Sequence, residues 1–142
     1  MSDPRMALID IIPPKLVDIP VEPSPPADDQ PPISVFTTMV GDVPVTVISG
    51  DIDMTTRAVA QAEITAQLQT HPVTLVLDLI EVSFFGSAGV RLLVESQHDA
   101  TDSGCRLVVV AHSARVGRVL TLTEVDSLLE LQPDIVTAMR SL

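Results

Sequence analysis

The run Leu77-Asp78-Leu79-Ile80-Glu81-Val82-Ser83-Phe84-Phe85-Gly86-Ser87-Ala88-Gly89-Val90-Arg91-Leu92-Leu93 holds a strand end, a turn and a helix start in direct succession. The residues leading into it, Val73 to Leu79, are almost continuously apolar, the pattern of a strand buried on both faces. Beyond Ser87, Val90, Leu93, Val94 and Gln97 recur at helical spacing to about Asp102, and Ser103-Gly104 supplies a stop. The same alternation continues downstream. Arg106 to Ala111 reads as another buried strand. Ser113 is placed to cap a third helix to about Leu122, with Val116, Val119 and Leu120 inward. Ser127 to Leu131 reads as a short strand, and Pro133 suits the first turn of a last helix through Leu142. Upstream, Gly41-Asp42 is a hairpin signal between Ile33–Val40 and Val43–Ser49, with Pro44 tolerated at the start of the second strand. Met54 to Gln69 reads as a helix with Ala58, Ala62, Ile64, Ala66 and Leu68 among its apolar positions, and His71-Pro72 ends it. The order β-β-α-β-α-β-α-β-α predicts an α/β domain: a mostly parallel central sheet, an N-terminal β-hairpin and about four helices.

That pattern begins only at Ile33. Of the 12 prolines in the 142 residues, most fall at positions 4, 13, 14, 20, 23, 25, 26, 31 and 32. Proline fixes φ and removes a backbone donor, so neither a helix interior nor a central strand survives there. Residues 1–32 are therefore expected to form a proline-rich, acidic, mostly disordered tail, and residues 33–142 the folded domain. Leu8, Ile9, Ile11, Ile12, Leu16, Val17, Ile19 and Val21 leave open an extended strand docked on the domain or on a partner.

Composition excludes several functions. The net charge of −11 repels phosphodiester backbones and anionic headgroups, and aromatic residues amount to 2%. Direct nucleic-acid binding and membrane-surface binding are not expected. No apolar stretch approaches the roughly 20 residues of a membrane span, and the start of the chain lacks a signal-peptide pattern. The single cysteine, Cys105, lies in an apolar run and reads as a small core side chain. A reduced, cytoplasmic setting is expected. His71, His98 and His112 have no second metal-type ligand at a usable spacing, and the sole lysine, Lys15, is in the tail, so there is no phosphate-binding P-loop. No metal and no cofactor are expected.

Ser87, at the turn between strand and helix, is the residue with chemistry to offer. A hydrolase nucleophile elbow needs Gly-x-Ser-x-Gly, and Phe85 stands where the first glycine belongs. Two readings remain. Ser87 is a helix N-cap, with Gly86 and Gly89 permitting close backbone approach. Alternatively, it carries a phosphate, exposed and tolerated at a helix start, which places a charge of about −1.5 to −2 on a recognition surface.

The run Leu77 to Leu93 resembles the signature of the STAS domain, and more narrowly that of stand-alone bacterial anti-sigma factor antagonists, Asp-Leu-Ser-x-Val-x-Phe-hydrophobe-Asp-Ser-Ser/Ala-Gly-Leu. Val47-Ile48-Ser49-Gly50-Asp51-Ile52-Asp53 resembles the family's Gly-Glu-Leu-Asp before its first helix. Ser113 to Leu122 is similar to its third helix. The resemblance covers about residues 33–142 and implies a single STAS-like domain. It implies a regulator rather than an enzyme: unphosphorylated, it binds an anti-sigma factor that is itself a serine kinase and so frees a sigma factor for transcription. Phosphorylation at Ser87 ends that binding, and a metal-dependent serine phosphatase restores it. The implied partner surface comprises Asp51, Asp53, Gly86, Ala88, Gly89 and Arg91. For Asp53 a plain cap of the following helix is the competing role. The sequence departs from the family pattern where Gly86 replaces the Asp before the acceptor, Ala88 a frequent second Ser, and Asp51 a Glu. Alternatives of other classes are a nucleotide- or small-ligand-binding STAS module, with the ligand's anion at the second helix start, and a scaffold subunit of a stress-sensing assembly.

Overall fold

A computed structural model of the chain describes residues 33–142, and the reading of residues 1–32 as a tail falls outside them. β1 (Ile33–Val40) and β2 (Val43–Ile52) form the expected hairpin, antiparallel, with Ile33 opposite Gly50 and Val40 opposite Val43. Gly41 turns it at a φ of 63°, a conformation that side-chain-bearing residues adopt at a cost. A parallel array continues from β2 through β3 (Thr74–Asp78), β5 (Arg106–Val110) and β6 (Glu130–Gln132), giving the order β1-β2-β3-β5-β6.

One strand was not foreseen. β4 (Val82–Phe85) pairs parallel with the C-terminal end of β2, Asp51 opposite Phe84 and Ile52 opposite Phe85. β3 occupies the preceding part of the same β2 edge, from Val45 to Val47. The chain jogs between them at Leu79–Glu81, where the Ile80 amide donates to Asp78 Oδ1 and the Val82 amide to the Leu79 carbonyl. A four-residue strand with two exposed side chains, Ser83 and Phe84, has no alternation to betray it.

The helices are α1 (Arg57–Leu68), α2 (Ser87–Asp102), α3 (Arg118–Leu122) and α4 (Ile135–Arg140). Strand alternation divides the core. Ile48, Leu75, Leu77, Leu107 and Val109 pack with Ala60, Ile64 and Leu68 of α1, Leu92, Leu93 and Ala100 of α2, and Leu120 of α3. Val45, Val76, Val108 and Val110 face the other way, against Ile135 and Ala138 of α4. Side chains of this size, fully buried, contribute about 1.5–3 kcal/mol each before conformational entropy is counted. Cys105 is buried, and desolvation raises its thiol pKa, as suits a core side chain.

Several boundaries move. Helix α1 begins at Arg57 rather than Met54, because Asp53 and Thr56 first close a separate turn. The segment from Ser113 is a π turn to Gly117 before α3, and His112, not Ser113, occupies its N-cap position. Ser127 belongs to a 3₁₀ turn, Val125–Leu128, so β6 starts only at Glu130. Pro133 lies outside α4, whose cap is Asp134 accepting from the Thr137 amide at 2.7 Å.

Candidate functional site

Parallel pairing of β2 and β4 sends two chain segments out of the same sheet edge. β2 delivers Asp51, Ile52 and Asp53; β4 delivers Phe85, Gly86 and Ser87. Loops at the C-terminal edge of parallel strands are where such sheets commonly carry their sites.

Ser87 is the first residue of α2, and the cap before it is Gly86, at φ −115° and ψ −154°. The Gly89 and Val90 amides both donate to the Gly86 carbonyl, at 3.0 and 3.1 Å. This corrects the reading of Ser87 as N-cap: no side chain caps the first turn of the helix. The hydroxyl is on the exposed side of α2, while Ala88 and Gly89 turn inward and are buried. Gly89 lies against Phe85, so close that an added Cβ would stand 2.5 Å from the ring. Gly89 and Ala88 are thus packing residues that fix where Ser87 emerges.

Asp53 organises the neighbouring loop. Its Oδ1 accepts from the Thr55 amide at 2.9 Å, the Thr55 hydroxyl at 2.8 Å and the Thr56 amide at 3.0 Å. The Thr56 hydroxyl donates to the Asp51 carbonyl at 2.7 Å and accepts from the Asp53 amide at 2.9 Å. The bond from the Thr55 hydroxyl, followed by those from the Thr55 and Thr56 amides, holds the Asp53 carboxyl below the usual carboxylate range. Asp53 therefore caps the turn before α1, and its side chain is committed to that loop. Asp51 is half-buried on β2 opposite Phe84.

Beside Ser87 opens a groove of about 350 Å³ lined by Met54, Arg57, Ser87, Ala88 and Arg91. Arg57 and Arg91 meet over Glu95: Arg57 reaches Oε1 at 3.1 Å and Arg91 Nε reaches Oε2 at 2.9 Å. Arg57 also donates to Gln61 at 2.7 Å. The hydrogen bond from Arg91, aided by the charges of Arg91 and Arg57 and opposed by desolvation, lowers the Glu95 pKa. Two cations thus share one anion next to the serine. The groove's lining holds two guanidinium groups and one hydroxyl, with no carboxylate or imidazole among its side chains. Two apolar side chains complete the surroundings: Met54 is 87% exposed, and Phe84, 54% exposed, lies beside Gly86.

Of the sequence-derived residues, Asp51, Asp53, Gly86, Ser87, Ala88 and Gly89 lie on the two adjoining segments, and Arg91 one helical turn beyond Ser87. Sequence reading missed Met54, Arg57, Phe84 and Glu95. The i,i+4 spacings Ser87–Arg91 and Arg91–Glu95 were available signals. Arg57 had none, because only the packing of α1 against α2 brings it there. Among the described residues no group of three His, Cys, Asp or Glu side chains is arranged to hold a metal ion. No helix described is long and apolar enough to cross a membrane.

Comparison with curated proteins finds no match. Among solved structures, an anti-sigma factor antagonist from Mycobacterium paratuberculosis is 29% identical, with a TM-score of 0.72 over 77% of this chain and 92% of its own. The Bacillus cell-fate determinant SpoIIAA in its phosphorylated form gives 17% identity and a TM-score of 0.59, covering 77% of this chain and 100% of its own. An anti-sigma-factor antagonist (STAS) domain protein from Planctomyces limnophilus gives 23% and 0.59, with coverages of 75% and 95%. The family model described as the STAS domain matches residues 37–138, most of the chain. With this match and the shared mixed sheet, the chain belongs to the STAS domain family.

Proposed function

We propose that this domain is an anti-sigma factor antagonist controlled at Ser87. Unphosphorylated, it binds an anti-sigma factor that is a serine kinase and thereby releases a sigma factor for transcription in the cytoplasm. In the switching step the Ser87 Oγ attacks the γ-phosphorus of kinase-bound ATP. The new O–P bond forms as the β–γ bridging P–O bond breaks, ADP leaves, and the hydroxyl proton passes to a base on the kinase. A metal-dependent serine phosphatase reverses the modification. The domain itself supplies the acceptor and the binding surface, and no catalysis.

The observation that carries this reading is the exposed Ser87 hydroxyl at the start of α2, next to exposed Met54 and Phe84. Exposed apolar side chains grouped around a polar residue suit protein docking. The 29% identical relative is described as an anti-sigma factor antagonist, and SpoIIAA has been solved in a phosphorylated form. Both support the assignment.

The test combines phosphorylation and binding. Incubation with the anti-sigma kinase and ATP should place phosphate on Ser87. Ser87→Ala should bind the anti-sigma factor as tightly as the native domain and resist inactivation. Ser87→Glu should bind ten- to several-hundredfold more weakly, the cost of a few kcal/mol for a charge buried unpaired at an interface. Phosphate appearing on Ser83 or Thr55 with Ser87 untouched would overturn the proposal. So would a phosphorylated protein that binds undiminished.

A further inference from the structure

We propose that Arg57 and Arg91 form a built-in receiver for the phosphoryl group on Ser87, and that Glu95 is the anion they hold until it arrives. The inference rests on the reading of Ser87 as a phosphorylation site and adds what the protein does with the modification.

Ser87, Arg57 and Arg91 line one groove. Arg91 is four residues along α2 from Ser87, a spacing that leaves side-chain bases about 5–6 Å apart. Arg57 opens α1 and reaches across to α2 through Glu95. Guanidinium has five N–H donors, and few are engaged among the described residues. Arg91 contacts Glu95 through Nε, and its terminal nitrogens make no side-chain hydrogen bond among the described residues. Arg57 uses NH1 for both Gln61 and Glu95.

The charge balance favours exchange. One carboxylate, about one-third exposed, now serves two guanidinium groups. A phosphomonoester brings roughly twice that charge and three acceptor oxygens, and forked arginine donors match such an anion. Two acids oppose it from the end of β2. Asp53 is committed to its own turn through three donors, and Asp51 sits half-buried on the strand. Capture would turn the two arginines from Glu95 toward Ser87. The surface offered to a partner would change twice: an anion appears, and two cations beside it are consumed.

The experiment needs neither kinase nor anti-sigma factor. The full chain is made with phosphoserine inserted at position 87 during translation, and its phosphate is titrated by phosphorus NMR. The second ionisation, near pH 6 for free phosphoserine, should fall by about 0.5–1 unit under two nearby guanidinium groups. The Arg57→Gln plus Arg91→Gln variant should raise it back toward the ordinary value, leaving only the smaller effect of the helix start. Glu95→Gln should lower it further, because the competing carboxylate is gone. Should the double variant fail to fold, Arg91→Gln alone must still raise the value. A phosphate that titrates identically with and without the arginines would overturn the receiver. That outcome leaves the assignment of Ser87 intact, whereas a kinase that ignores Ser87 while the inserted phosphate titrates low would overturn the assignment and leave the receiver.

Discussion

Gly86 and Gly89 flank Ser87 for different reasons. At Gly89 a Cβ would come within 2.5 Å of the buried Phe85 ring. Gly89→Ala should therefore destabilise the domain by about 1–3 kcal/mol, the usual cost of overpacking a filled core, measured by denaturant unfolding. A neutral result would show that the ring has room to turn. At Gly86 the added Cβ would meet only the rim of the Phe84 ring, at 3.3 Å. That ring is half exposed and able to shift, and the backbone there is extended, where any residue fits. Gly86→Asp should fold normally and gain a few tenths of a kcal/mol, because Asp outranks Gly as a helix cap. It also restores the acid that the family pattern places before the acceptor, so labelling of Ser87 by the kinase should be as fast or faster. A loss above about 1 kcal/mol would mean that Phe84 is fixed in place. The motif residues were legible in the sequence because their types and order carry them. The cap position was not, since it depends on the backbone angles of Gly86, and Arg57 and Glu95 meet only through tertiary packing.

Among the elements, the turn at Asp53 ties the end of β2 to α1, and its stability depends on pH. Its carboxyl pKa is depressed in the folded state, chiefly by the Thr55 hydroxyl. Such a group gives its full stabilisation above the unfolded carboxylate value near pH 4 and loses it as the pH falls through the lower folded value. Asp53→Asn should lower the melting temperature at neutral pH, and the gap from the native protein should close as the pH falls below about 4. A gap of equal size at both ends would show that the charge contributes nothing. A second element-scale effect lies after α3, where Glu124 adopts a φ of 61° and its amide donates to the Thr121 carbonyl. That is a position for glycine at a helix end, so Glu124→Gly should raise stability by about 0.5–1 kcal/mol in thermal melts. Strands with continuous apolar runs, β3 and β5, were readable from the sequence, as was the hairpin around Gly41. One short element escaped: β4 is held by its pairing with β2 and exposes Ser83 and Phe84, too much side chain to carry a periodic signature. The short strand expected at Ser127–Leu131 is present as β6, shifted to Glu130–Gln132.

At the scale of the whole molecule, strand–helix alternation was enough to specify a mostly parallel sheet with a leading hairpin. The two packing layers follow from the alternation of β3 and β5. Leu75 and Leu77, with Leu107 and Val109, face α1 and α2, whereas Val76, Val108 and Val110 face α4. The sheet closes its ladder from β1 to β6 within residues 33–132. The SpoIIAA chain is covered completely by 77% of this chain, so a protein of about this domain's size adopts the fold as a whole chain. We therefore expect residues 33–142 to fold without the proline-rich segment before them. Removing residues 1–30 should shift the melting temperature by no more than a few degrees and leave a cooperative transition. Binding of the anti-sigma factor should also survive, because Ser87, Met54, Phe84 and both arginines of the groove remain. An aggregated or non-cooperative product would mean that Leu8, Ile9, Ile11, Ile12 and the other apolar residues of that segment are needed to complete the domain. A folded product that no longer binds would instead assign them to the partner.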